Sequence, residues 1–247
     1  TRLLFIAPES HEQRFACFGE IKMPYIRMGN VDSTDILNLD ELILFAFYWK
    51  NRGLYRKVAD LGANIGWHSL LLCRSGYEVR AWEPDPEIHA LLQNNLLTNR
   101  CTSATAFCRA VSTNAGSTRF VRVLGNRTSS HIEGAKASPY GELVRFNVEL
   151  DAYAPIADWA DLVKIDIEGH EAELLCSTER KDWTSTDALA EIGTPENARR
   201  IYQHLTDIKV GIFSQKFGWR RVSSIAEMPT HYSEGSVFLS LKDNMPW

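Results

Sequence analysis

The sequence contains no C-x-x-C pair and no His spacing that would complete one. Its five cysteines, Cys17, Cys73, Cys101, Cys108 and Cys176, therefore form neither a zinc framework nor a disulfide scaffold. An odd set of scattered thiols fits a reducing compartment, so a cytoplasmic setting is expected. Long apolar runs are missing too. The longest, "LILFAFYW" (Leu42 to Trp49), stops well short of the roughly twenty residues of a membrane span and reads as a buried helix. Positive charge is not in excess: 27 Lys and Arg against 31 Asp and Glu leave a net charge of -4. That balance argues against general nucleic-acid binding, and Arg199–Arg200 and Arg220–Arg221 read as solvated surface. No secretory leader, internal repeat or low-complexity tract is visible.

What is present is ordinary for one large globular domain: 247 residues, 45% hydrophobic and 23% charged. From Lys57 onward two periodicities alternate. "KVADL" reads as a short buried strand and Ile65 to Arg74 as a helix; "YEVRAWE" (Tyr77 to Glu83) is the next strand. Pro86 opens a helix with Ile88, Leu91, Leu92, Asn95 and Leu96 at helical spacing. "TAFCRAV" (Thr105 to Val111), "DLVKIDIE" (Asp161 to Glu168) and "DALAEIG" (Asp187 to Gly193) read as further strands. Helices are expected over Gly169 to Cys176 and from Pro195 to about Thr206. This rhythm predicts an open, doubly wound α/β sheet with parallel pairing, whose ligands sit beyond the carboxyl ends of the strands.

Two stretches break the rhythm. "STRFVRVL" and "LVRFNVEL" alternate with period two, and a Gly/Ser/Pro-rich joint connects them, so a β-hairpin insertion is expected over about 117–150. "GWRRVSS" and "GSVFLSL" also alternate and are expected to close one sheet edge antiparallel. Residues 1–52 fit no α/β unit and are read as an N-terminal cap on the substrate side. Residues 53–247 form the remaining domain.

The turn after the first strand, "DLGANIG", decides the ligand. A dinucleotide site asks for G-x-G-x-x-G, and neither register of Gly62 supplies it. Asp60 precedes the turn where a phosphate would be repelled and a cationic amino group welcomed. Gly62 and Gly66 are expected to keep the backbone clear of the ligand, and the amides opening the helix at Ile65 to receive a carboxylate. Glu83 ends the next strand, where an acid can accept both hydroxyls of a ribose. A ligand with a ribose, an ammonium and no phosphate is S-adenosyl-methionine.

"DLGANIGWHSLL", "AWEPDPEIHALLQNNLLTN", "RAVST" and "LVKIDIEGHEAELL" closely resemble the FkbM-type methyltransferases, within the class I S-adenosyl-methionine-dependent enzymes. The resemblance spans roughly residues 55–193. It implies a Rossmann-like, mostly parallel seven-stranded sheet and methyl transfer to an oxygen, in known members often a hydroxyl of a saccharide or natural product. It also implies that Asp60, Gly62, Asn64 and Gly66 line the methionine end of the cofactor, Glu83 its ribose, and Pro84 and the backbone around Ala110 its adenine. Asp166 would face the cofactor's amino group or the reacting centre. Candidate general bases in "DIEGHE" are Asp166, Glu168 and His170, with simpler alternatives open: cofactor contact for Asp166, a helix cap for Glu168 and a surface position for His170. His131 in the hairpin joint is read as having no function. Trp67 and Trp82 flank the cofactor positions and are read as core. No metal is expected, since the carboxylates have no His or Cys at ligand spacing. The expected partner is a small-molecule or saccharide acceptor. A protein of the same fold that holds the cofactor without turnover remains the alternative.

Overall fold

A computed structural model describes residues 12–15, 17–27, 32–33, 38–136 and 141–247. Parts of the expected N-terminal cap and of the hairpin joint, residues 137–140 among them, therefore lie outside the described residues.

The chain begins with an antiparallel pair, β1 (Glu12–Phe15) and β2 (Gly19–Lys22), and helix α1 (Leu39–Lys50). The α/β alternation follows: β3 (Lys57–Leu61), α2 (Trp67–Arg74), β4 (Glu78–Trp82), α3 (Pro86–Thr98) and β5 (Ala104–Phe107). The insertion holds β6 (Ala110–Ser112), β7 (Gly116–Val123), β8 (His131–Ile132) and β9 (Leu143–Ala152). Next come α4 (Tyr153–Trp159), β10 (Leu162–Ile165), α5 (Glu171–Leu175), β11 (Asp187–Glu191) and α6 (Pro195–Asp207). The strands β12 (Gly211–Ser214), β13 (Arg220–Arg221) and β14 (Ser236–Ser240) end the fold.

Among the described residues the main sheet has eight strands in the order β13-β12-β14-β11-β10-β3-β4-β5. Strands β11, β10, β3, β4 and β5 run parallel, as the alternation predicts, and β14 runs antiparallel between β11 and β12. Seven strands were expected, and two details account for the difference. Gly211–Ser214 is buried at every position, so this short run lacks the alternation that would mark it. The strand Arg220–Arg221 pairs with β12, not with "GSVFLSL" as its pattern suggested. "TAFCRAV" also divides: β5 ends at Phe107, and Ala110–Ser112 leaves to pair in parallel with β9.

The insertion is the long hairpin that the two alternating segments predict, with Gly116↔Leu150 and Val123↔Leu143 at its ends. With β6 and β8 it forms a separate four-stranded sheet. One of its ties to the main sheet is electrostatic. Asp85 caps α3 by accepting from the Glu87 N–H, and takes two hydrogen bonds of 2.6 Å from Arg122 of β7. The planar guanidinium fork matches a carboxylate, so this pair fixes orientation as well as distance.

Side chains alternate across each strand, and the two faces have separate cores. Val58, Leu162 and Leu189 pack with α1, α2 and α3, while Ala59, Val163 and Ala190 pack with α4, α5 and α6. The buried helix expected over Leu42 to Trp49 lies within α1, with Leu44, Phe45, Phe47 and Tyr48 inward. Phe18, Ile21 and Met23 join the same core. Backbone of this segment is held by Asn99: its amide oxygen accepts from the Lys22 N–H at 2.8 Å and its amide nitrogen donates to the Lys22 carbonyl at 2.7 Å. No helix among the described residues is long and apolar enough to cross a membrane.

Asn99→Ala removes both bonds to β2 and is expected to lower stability by about 1–3 kcal/mol. Hydrogen exchange at the Lys22 amide should accelerate with it. Unchanged exchange there would show that β2 is held by its apolar contacts alone.

Candidate functional site

A cavity of about 340 Å³ opens at the carboxyl ends of β3, β4, β10 and β11. That is within the range of small-molecule sites. Glu41 of α1 reaches its wall from one side, and the Asn126–Ser130 segment of the insertion from the other.

The floor is the turn after β3. Gly62 and Ala63 both donate their N–H to the Trp82 carbonyl, at 3.0 and 2.9 Å, which folds the turn against β4. Asn64 stands at φ +50°, an uncommon conformation for a residue with a side chain. The two glycines are required by the protein's own packing, not only by room for a ligand. At Gly62 (φ +77°) a Cβ would lie 1.7 Å from the Asp166 backbone oxygen, and at Gly66 (φ +98°) 2.6 Å from Leu92 Cδ1. The amides expected to await a carboxylate are engaged: Ile65 donates to Asn64 Oδ1 and Gly66 to the Ala63 carbonyl.

Asp60 is fully buried and does not line the cavity. Asp60 and Lys164 are register partners on adjacent parallel strands, so both point to the same face. Lys164 Nζ stands 3.4 Å from Asp60 Oδ1, an oxygen with no hydrogen-bond partner, and Ser69 Oγ donates to Oδ2 at 2.5 Å. The ammonium that sequence reasoning sought for Asp60 in a ligand is thus supplied by Lys164. Burial alone would push the lysine down. The carboxylates of Asp60, Asp166, Glu41 and Glu191 outweigh it, hold the pKa above the ordinary value and keep the group charged.

Glu83 lines the cavity and is buried. Its Oε2 accepts from the Asn64 N–H at 3.0 Å and its Oε1 from the Asp85 N–H at 2.9 Å, so it joins the turn to the start of α3. Burial raises it to about 8, against the two amides that favour the charged form. Pro84 and Ala110 also face the cavity, with Val111, Phe120 and Ile132 supplying apolar surface. Trp67 and Trp82 are buried in the wall. Trp82 stacks on Phe107 at 4.9 Å and donates to Asp151 at 2.9 Å.

Of the "DIEGHE" residues, Asp166 and Glu168 line the cavity and His170 does not. The His170 ring turns to Ser112, with Nε2 3.0 Å from its hydroxyl. The role of tying down the loop amides belongs to Glu171, which accepts from the Ile167 and Gly169 N–H groups. Glu168 is ion-paired with Lys136 of the insertion at 2.5 Å, and burial holds its carboxyl near 7. His131 is buried in the insertion and donates from Nδ1 to the Ser129 carbonyl.

Among the wall residues that sequence reasoning missed, Glu41, Lys164, Glu191 and Tyr232 carry ionisable or hydroxyl groups near the strand ends. Glu191 was findable, because it is an acid ending a parallel strand, the same signal that marked Glu83. Glu41 and Tyr232 carry no such mark, since they reach the cavity only through tertiary packing. Glu41 is held 2.9 Å from His68 Nε2, whose Nδ1 is 2.9 Å from the Tyr48 hydroxyl.

Residues 60–207 match the sequence profile described as "Methyltransferase FkbM domain". No curated protein matches the chain. Distant likeness to solved structures includes a SAM-dependent methyltransferase from Agrobacterium tumefaciens, at 8% identity and TM-score 0.48, covering 95% of this chain and 71% of that one. A precorrin-6y C5,15-methyltransferase from Geobacter metallireducens has 12% identity and TM-score 0.44, with 86% of this chain and 94% of that one covered. A ribosomal protein L11 methylase from Lactobacillus delbrueckii subsp. bulgaricus has 12% identity and TM-score 0.44, with coverages of 82% and 79%.

Gly62→Ala should cost about 2–5 kcal/mol, combining left-handed backbone strain with a steric overlap that backbone must absorb. Gly53→Ala is the control, because nothing lies within 4 Å of a Cβ there and its φ is not positive. Equal denaturation midpoints for the two variants would contradict the packing account of Gly62.

Proposed function

The chain belongs to the FkbM methyltransferase domain family, and from that premise we propose that it methylates a hydroxyl oxygen of a saccharide, glycoconjugate or other natural product. S-adenosyl-methionine is the cofactor. When bound, it supplies a methyl group already activated on a sulfonium.

The residues present fit that group. The wall carries five acids, Glu41, Glu83, Asp166, Glu168 and Glu191, against Lys164, Arg109 and Arg127, and the two arginines are already paired with Asp151 and Glu87, a balance that suits a cationic ligand without phosphate. Glu83 is the residue we assign to the ribose. Each of its oxygens holds one backbone N–H and, as a carboxylate, keeps a further lone pair for a hydroxyl. Asn64, Ile65 and Gly66 would border the methionine end. The apolar surface of Pro84, Ala110 and Val111 would flank the adenine.

Asp60 is reassigned on this reading. It acts on the cofactor only through Lys164, whose ammonium also donates to the Gly62 carbonyl at 3.2 Å and thereby steadies the turn. Residues outside the α/β core would shape the acceptor side: Glu41 from α1, Thr128 and Ser129 from the insertion, and Tyr232 before β14. Their acids and hydroxyls can pair with the hydroxyls of a polyol. By enclosing the site they also exclude water and hold the acceptor oxygen in place, which contributes several kcal/mol to such a reaction. The observation that carries the proposal is the coincidence of the family match with this acid-lined cavity at the parallel strand ends.

Calorimetry with S-adenosyl-methionine, S-adenosyl-homocysteine and NAD, followed by turnover across a panel of glycosides, tests it. Tight binding of the first two and methylation of at least one hydroxyl are expected. Binding without turnover across the panel would favour a protein that holds the cofactor only, and preference for NAD would overturn the assignment. Glu83→Ala should weaken cofactor affinity by about 1.5–3 kcal/mol, the scale of hydrogen bonds to a charged group. A proton count provides an independent check. Glu83 ionises near 8 in the free protein, and ligand hydroxyls donating to it favour the ionised form. Binding at pH 7 should therefore release protons, and affinity should rise as pH passes through 8. Calorimetry in two buffers of different ionisation heat reads that release, and proton uptake would refute the ribose contact.

A further inference from the structure

Strands β10 and β11 run in parallel with Lys164 beside Leu189 and Ile165 beside Ala190. The next positions along the two strands are Asp166 and Glu191, and both line the cavity. Alternation puts them on the face that carries Leu162 and Leu189, the face covered by α1, α2 and α3. Two carboxyl groups side by side in a partly buried wall resist ionising together. Burial, then the charge of Asp166, hold Glu191 well above the usual carboxylate range. Lys164 Nζ, 3.4 Å from Asp166 Oδ2, supplies the counter-charge on the other side.

Resting on the methyl-transfer reading above, we infer that Asp166 and Glu191 act as one carboxyl pair that receives the acceptor's hydroxyl proton. As the acceptor oxygen gains the methyl group, its O–H bond breaks and the S–C electron pair stays on sulfur. The proton passes to the Asp166 carboxylate, while Glu191 keeps the one it already holds. The pair goes from one negative charge to none and returns the proton to solvent after product leaves. Glu168 is less suited to this task because Lys136 engages it, and His170 because it is off the cavity wall. The groups facing the pair are Lys164 with Asp60, Glu41 of α1 with His68 of α2, Glu168 with Lys136, and Tyr232. Glu41 and Glu168 add negative charge around Glu191 and reinforce its hold on a proton.

Infrared spectroscopy of the ligand-free full chain at neutral pH tests the pairing without any turnover. Glu191→Gln should remove one protonated-carboxyl band. Asp166→Asn should shift that band in frequency, because a neutral amide replaces the neighbouring carboxylate while burial still keeps Glu191 protonated. A band whose frequency Asp166→Asn leaves unmoved overturns the pair. In turnover, Asp166→Asn should lower kcat at least about 100-fold and Glu191→Gln about 10-fold, the scale of lost proton transfer, with the cofactor Kd changed less than about threefold. Equal losses of kcat and affinity in Asp166→Asn would make Asp166 a cofactor anchor and overturn the inference. Failure of the wild-type chain to bind S-adenosyl-methionine would remove the methyl-transfer reading and leave the infrared result standing, so the two failures are distinguishable.

Discussion

A single lysine ammonium, buried in the sheet, sets the arrangement of the site. Lys164 sits between Asp60 on β3 and Asp166 at the end of its own strand, at 3.4 Å from each. Removing one member of such a buried pair typically costs 3–5 kcal/mol, because the other charge is left without compensation. The same ammonium reaches the Gly62 carbonyl, so strand pairing, the turn after β3 and the charge state of the acids are tied to one atom. Without it, the acids at the strand ends would repel one another and the sheet edge would not hold them together.

Around that centre each accessory segment is joined to the core by a specific polar link. Asn99 holds β2 by both its backbone groups, and α1 brings Glu41 to His68 above the start of α2. The insertion is joined by Arg122 on Asp85, Lys136 on Glu168, Arg127 on Glu87, Asp151 on Trp82 and Ser112 on His170. The lysine link ends on the cavity-lining Glu168 itself, and the Arg122 link on Asp85, whose N–H donates to the cavity-lining Glu83. The walls that would meet an acceptor are therefore positioned by the residues that shape the cofactor floor, which gives the two halves of the site a common frame.

The stretches that carry the family resemblance divide into groups that face the cavity and groups that build it. In "EPDP", Glu83 faces inward while Asp85 caps α3 and anchors the insertion. In "DIEGHE", Asp166 and Glu168 face inward, Glu171 pins the loop amides, and His170 turns to Ser112. Motif residues of the same chemical type thus have opposite orientations, and a motif read as a unit overstates how many of its members meet ligand.

The sequence by itself determined the parallel core, its helices and the cavity's place at the strand ends. Those features follow from local periodicity, from Pro86 and Pro195 opening helices, and from acids that terminate buried strands. Local pattern also marked the turn at Gly62 and the long hairpin. Tertiary structure alone decided which acids face the cavity. Asp60 and Glu83 look equivalent along the chain, yet cross-strand register gives Asp60 a lysine and leaves Glu83 at the cavity. It likewise decided the extra strand at Gly211–Ser214, whose burial on both faces erases the alternation, and the arrival of Glu41 and Tyr232. Charge pairing across strands and packing between distant segments depend on register and contact, and no periodicity within one segment encodes either.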